Sequence, residues 1–215
     1  MRSRNFKTNI EADLHEFKEE LALLRIIQQE AQEIATKRTK AKKEEIDKIG
    51  SRTALTAEDQ DNYTDFFRYG VHFNSVVIHS LVVAAFAFFE DYLYQVMRWL
   101  DEDPATQKPL DERWGIKEYR KHFHKAYGLL AADSTGPVWQ QIVVFEKIRH
   151  LIVHHHNRFD GEGGKNMLIR FLKNYNVHLR RDYAFKINDS RFLDDCIANL
   201  STFSVDLAHE IYKEL

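Results

Sequence analysis

The stretch from Val71 to Leu100, VHFNSVVIHSLVVAAFAFFEDYLYQVMRWL, is apolar around almost its whole circumference, and any fold this chain adopts must cover it. A bilayer is one way to do so, but a spanning helix needs about 20 uninterrupted apolar residues. Here His72, Asn74, Ser75, His79 and Ser80 interrupt the run, and Glu90 and Asp91 close it. The remaining solution is a central helix surrounded by other helices, and no membrane association is expected. With only 8 Gly and 3 Pro in 215 residues, those other helices are free to be long. The expected fold is therefore an all-α bundle. Glu90, inside the apolar stretch, needs a partner there, with Arg149 or a histidine as candidates.

Upstream, Ile10, Leu14, Phe17, Leu21 and Leu24 alternate steps of four and three, and the register continues through Gln28, Ala31 and Ala35. A 3.5-residue period is the seam of a coiled coil or a long paired helix. The charged segment TKRTKAKKEEIDKIGSR follows and ends the arm near Gly50. The expected organisation is a helical arm over residues 1–55 and a bundle domain over residues 56–215. Thr56, with Asp59 three positions on, carries a variant capping box for the next helix.

Asp103-Pro104 to Pro109 breaks the chain, and Trp114 to Gly128 reads as a basic amphipathic helix closed by its glycine. After the loop AADSTGP, a helix is expected from Val138 to about His156. Gly161, Gly163 and Gly164 mark a turn, and Met167 to Leu172 is helical or extended. Tyr183, Phe185 and Ile187 alternate as one short β element would. Leu193, Ile197, Leu200, Phe203, Leu207 and Ile211 form one face of a closing helix.

The single cysteine, Cys196, excludes an internal disulfide and fits a reducing, cytoplasmic setting; its apolar neighbours predict an inert packed thiol. The N-terminus lacks the apolar core of a signal peptide. A net charge of −2 gives no global basic field. From Glu146 to Arg191, however, ten Lys and Arg stand against five acids.

That basic region begins with FEKIRHLIVHHHNRF, residues 145–159, which holds His150, His154, His155 and His156. His150 and His154 share a helix face and could pair on zinc, with His122 and His124 as further ligands, but no third ligand or general-base carboxylate is spaced to complete such a site. Helix termination accounts for His155, His156 and Asn157, yet leaves Arg149 in an apolar strip unexplained. Metal-independent RNA cleavage gives Arg149, His150 and His154 a use. It needs a base for the ribose 2′-OH, a cation for the phosphate and an acid for the leaving 5′ oxygen, which histidine and arginine supply. Arg149 and His154 stand about 140° apart around a helix, so a second copy would have to complete the set. The N-terminal heptads offer a separate reason to dimerise.

Arg149-His150-Leu151-Ile152-Val153-His154 matches the R-x4-6-H motif, and the chain over roughly residues 70–215 resembles the HEPN family in its prokaryotic form. WQQIVVFEKIRHLIVHHHNRFD is similar to that family's motif helix and following turn, SLVVAAFAFFEDYLYQVMRWL to its first long helix with an acid near the middle, and YRKHFHKAYGLL to an intervening element. His150 stands where Asn is common, and Asn157 stands where Gly is, in a position that suits a left-handed residue.

The resemblance implies a dimeric, metal-independent endoribonuclease of a toxin–antitoxin or anti-phage system, needing no cofactor. Arg149 and His154 would be catalytic, His150 and Glu90 auxiliary, and Lys147, Arg158, Lys165 and Arg170 contacts for RNA. An antitoxin or regulatory protein would be a further partner. The alternative is a non-catalytic HEPN dimer serving as an RNA- or nucleotide-binding scaffold, to which a long N-terminal arm is suited.

Overall fold

The computed structural model describes residues 4–49, 56–101, 114–159, 165–180 and 184–214. The predicted breaks at Gly50, at Pro104 to Pro109 and at Gly161 to Gly164 lie outside these residues, as does Tyr183. The described chain is all-α with one hairpin. Helix α1 spans Arg4–Ile49, α2 Ala57–Phe67, α3 Asn74–Asp101, α4 Ile116–Tyr127, α5 Pro137–His154, α6 Lys165–Leu172 and α7 Ser190–Glu214. Arg68–Phe73 winds as a π-helix between α2 and α3, and Leu130–Ala132 forms a 3₁₀ turn. Strands β1 (Val177–Leu179) and β2 (Phe185–Ile187) pair antiparallel, with Val177 opposite Ile187 and Leu179 opposite Phe185.

The residues divide into two units, to both of which α1, α3, α5 and α7 contribute. The first comprises Met1–Leu23, Val83–Lys147 and Asp194–Leu215. Its core explains the apolar run. Phe89 of α3 lies 6.0 Å from Phe17 and edge-on to Phe203 at 5.7 Å, and Tyr92 stacks on Phe17 at 5.1 Å. Trp139 completes the cluster at 5.4 Å from Phe203. Each such pair contributes about 0.5–1.5 kcal/mol beyond its burial. The Tyr92 hydroxyl donates to the Ser204 carbonyl at 3.2 Å. Ala57–Asp101 is long and apolar enough to cross a membrane by length and composition, but within this unit its aromatic side chains meet α1 and α7.

Phe17 shows where the heptad seam goes. Ile10, Phe17, Leu21, Leu24, Gln28, Ala31 and Ala35 are buried within this one chain, and Leu14 is half-buried. The seam is therefore covered by the chain's own helices, and it supplies no argument for a second copy. A period of 3.5 specifies that a helix packs along its length, not what it packs against.

Two terminations follow the predicted chemistry. The Thr56 side chain accepts from the Asp59 amide at 3.1 Å while the Asp59 carboxylate accepts from the Thr56 amide at 2.8 Å, a complete capping box. Gly128, at φ 68°, ends α4 in the left-handed conformation. All six residues of the α7 face are buried, and so is Cys196, whose thiol burial pushes well above its usual range.

The second unit comprises Leu24–Val82 and Ile148–Leu193. Lys42, near the end of α1, reaches Asn62 of α2 at 3.0 Å. The hairpin, with Phe159 against Phe185 at 5.1 Å, packs beside the start of α3 through His79. Only β2 shows as sequence alternation, because its Phe185 and Ile187 are buried while His178 and Leu179 of β1 are exposed.

Candidate active site

Helix α5 ends at His154, and the chain turns there through two left-handed residues, His156 at φ 50° and Asn157 at φ 62°. The expected left-handed Asn157 is present; His156 adds a second that the sequence does not announce. The amides of His155 and Asn157 both return to the Leu151 carbonyl, at 3.1 and 3.0 Å, so this carbonyl of the last helical turn is satisfied without glycine. The Asn157 carbonyl then accepts from Phe185 at 2.9 Å, and Arg158 bridges to Ala184. In this way the hairpin fixes the chain just past the histidines.

The turn has a further support. His79 of α3 is buried and accepts from the Ile187 amide at 3.4 Å. Burial lowers its pKa to about 4, and the Asn157 side chain opposes that shift. A neutral imidazole thus stands between the hairpin and the turn. The spacing of His79 from Ser75, one helical turn, is the available signal, but nothing in the sequence assigns its partner.

The exposed face of the α5 terminus carries the histidine cluster. The His150 ring lies 4.7 Å from that of His154 and 5.3 Å from that of His155. His150 and His154 are exposed and His155 is half-buried. Arg149 is half-buried, with its Nε below the surface. Regular helical geometry places it about 140° around α5 from His154. The histidines therefore meet one another, and the guanidinium leaves the helix in a different direction.

The other predicted residues are distributed. Arg158 and Arg170 are exposed and Lys165 is partly exposed at the start of α6, all in the second unit. Lys147 and Glu90 belong to the first unit, where Glu90 lines a small cleft with Asp91, Tyr94, Trp114 and Tyr119. His122 pairs with Asp101 at 3.1 Å, and Tyr127 donates to the same carboxylate; His124 Nδ1 lies 3.3 Å from the Leu129 carbonyl. Among the described residues no group of three or more His, Cys, Asp or Glu side chains is placed to hold a metal ion.

A second cationic group is not singled out by the sequence. In the second unit the Lys186 ammonium bonds the His72 ring. Burial first, and then Lys186 and Arg180, lower the His72 pKa; burial and Arg180 lower that of Lys186. Comparison with protein-family models, with curated proteins and with solved structures finds no match to the chain.

Proposed function

We propose that the chain is a metal-independent endoribonuclease of HEPN type, acting as a homodimer in a toxin–antitoxin or anti-phage setting. One observation carries this reading: α5 ends on an exposed His154 held by a structured turn, with Arg149 half-buried on another side of the same helix. A buried-to-exposed pair of this kind suits a guanidinium that holds phosphate and an imidazole that moves protons.

In the proposed reaction the ribose 2′-oxygen attacks phosphorus, its proton passes to an imidazole, and the 5′-oxygen leaves with a proton from a second acid. A 2′,3′-cyclic phosphate and a 5′-hydroxyl result. Arg149 neutralises charge developing on the phosphoryl oxygens, a type of contact commonly worth about 3–4 kcal/mol of barrier. His150, in ring contact with His154, orients it. Exposed Arg158 and Arg170, with Lys165, hold backbone phosphates on either side.

The test is cleavage of RNA by purified protein in EDTA, compared with Arg149→Ala and His154→Ala. Loss of cutting in both variants, with unchanged circular dichroism, supports the assignment. Cutting that survives both substitutions removes it. RNA binding without cleavage across varied substrates would favour the non-catalytic scaffold.

A further inference from the structure

The hairpin turns one face inward and one outward. Phe185 and Ile187 of β2 are buried, and Phe159, just past the turn after α5, packs on Phe185 at 5.1 Å. Side chains alternate along a strand, so Ala184 and Lys186 point to the opposite face. His178 pairs with Lys186, and the same register continued by one residue sets Arg180 against Ala184, whose carbonyl accepts from the Arg180 amide at 2.8 Å. On the other edge of β2, Arg158 bridges to Ala184. Residues directly opposite in antiparallel pairs share a face. Arg158, Ala184, Lys186, His178 and Arg180 thus form one face across three chain segments, all within the second unit. Arg158, His178 and Arg180 are exposed and Lys186 is partly so.

The described positions of this face carry four basic residues, one alanine and no acid. The His72 ring of the π-helix accepts from the Lys186 ammonium and holds it at the border of the face. Burial first, and then neighbouring cations, lower the pKa of both His72 and Lys186, as expected where positive charge is concentrated. Positions on the face stand about 5 Å apart across the strands and about 7 Å apart along them. A fixed array of cations at such intervals suits a polyanion whose charges recur regularly. A protein partner would need an apolar centre to bury, and Ala184 offers too little of one. Continuity with α5 agrees: Arg158 lies four residues past His154, and the Asn157 carbonyl joins the turn to Phe185.

We propose that the outer face of the hairpin, with Arg158, His178, Arg180 and Lys186, binds the sugar–phosphate backbone of RNA leading away from the α5 histidines. The choice of RNA rests on the nuclease reading; the contact itself is to phosphate and reads no sequence. The hairpin is then an extended binding site that favours longer RNA over short fragments whatever their sequence.

Fluorescence anisotropy in EDTA with labelled single-stranded oligoribonucleotides tests it, on full-length chains that carry His154→Ala so that the probe stays intact. Arg180→Gln and Lys186→Gln should each weaken binding about fivefold near 0.1 M salt, and each should make the slope of log affinity against log salt shallower by about 0.7. Two RNAs of unrelated sequence should lose equally, and Arg180→Lys should stay close to the parent. Lengthening the RNA should raise the affinity of the parent more than that of the double variant. Because Arg180 is exposed, its variant carries the test if Lys186→Gln, which loses His72, unfolds. Affinity and slope unchanged in chains with normal circular dichroism overturn the proposal. So does a loss confined to one sequence, or a parent that binds polyglutamate but not RNA. If wild type binds RNA through this face and never cuts it, the nuclease reading fails and this proposal stands. If wild type cuts and the hairpin variants bind as the parent does, this proposal alone fails.

Discussion

The His79 ring accepts a hydrogen bond from the Ile187 amide at 3.4 Å, joining the start of α3 to the second strand of the hairpin. An imidazole that accepts there must be neutral at that nitrogen, and burial keeps it so down to about pH 4. The unfolded chain protonates this histidine near its ordinary value of 6.5. Between those values the unfolded state holds the extra proton, so stability falls as pH drops through the window.

Wild type should therefore lose about 2 kcal/mol more than His79→Gln between pH 7 and pH 5. Carboxylates common to both proteins cancel in the difference. Urea midpoints measured at the two pH values check this, and parallel pH profiles would show that His79 is not the group responsible.

Trp99 donates to the Asp13 carboxylate at 2.6 Å. Burial pushes the Asp13 carboxyl above the usual range, against the pull of that hydrogen bond. Removing the donor and removing the charge should then act in opposite directions. Trp99→Phe is expected to cost about 1–2 kcal/mol. Asp13→Asn, which retains an acceptor for Trp99, should leave the melting temperature at pH 7 unchanged or raise it.

How much of the structure is visible in the sequence depends on the distance over which each feature is determined. Thr56 with Asp59, Gly128 and Asn157 are terminations set by neighbours a few positions away, and their residue types announce them. The burial of the α7 face likewise follows from one helix's own period. Features that depend on distant partners are not visible. The seam from Ile10 to Ala35 is evident as a stripe, but its covering by the chain's own helices is not, because a 3.5-residue period does not say what a helix packs against. Strand β1 lacks alternation because its outward positions are exposed. At the site, Arg149, His150 and His154 are apparent from spacing, while the support of their turn by His79 and the pairing of Lys186 with His72 depend on the tertiary fold.

The turn after α5 separates the three consecutive histidines by role. His156 is exposed at φ 50°, where a residue with a Cβ costs about 1–2 kcal/mol relative to glycine. His156→Gly should therefore leave stability unchanged or slightly raise it, once the extra freedom of glycine in the unfolded chain is counted. RNA cleavage by this variant should match wild type. Asn157→Ala, at φ 62° and with its backbone carbonyl joined to Phe185, should lower stability by about 1 kcal/mol, read from the unfolding midpoint. A His156→Gly protein that folds normally but no longer cuts RNA would contradict this division.

The separation of Arg149 and His154 around α5 leads to a complementation test. If one chain cannot aim both groups at a single phosphate, the reacting pair consists of Arg149 from one copy and His154 from the other. Arg149→Ala and His154→Ala would each be inactive alone. Mixed and allowed to exchange, about half of the dimers would contain one of each chain. Such a dimer retains one intact arginine and one intact histidine on opposite copies, so cleavage should recover to between about a quarter and a half of wild type. The chain carrying both substitutions, mixed with either single variant, leaves no such pair and should remain inactive. Recovery in the first mixture and none in the second places the groups in trans; no recovery in the first, with heterodimers shown by light scattering or mass, places both groups within one chain.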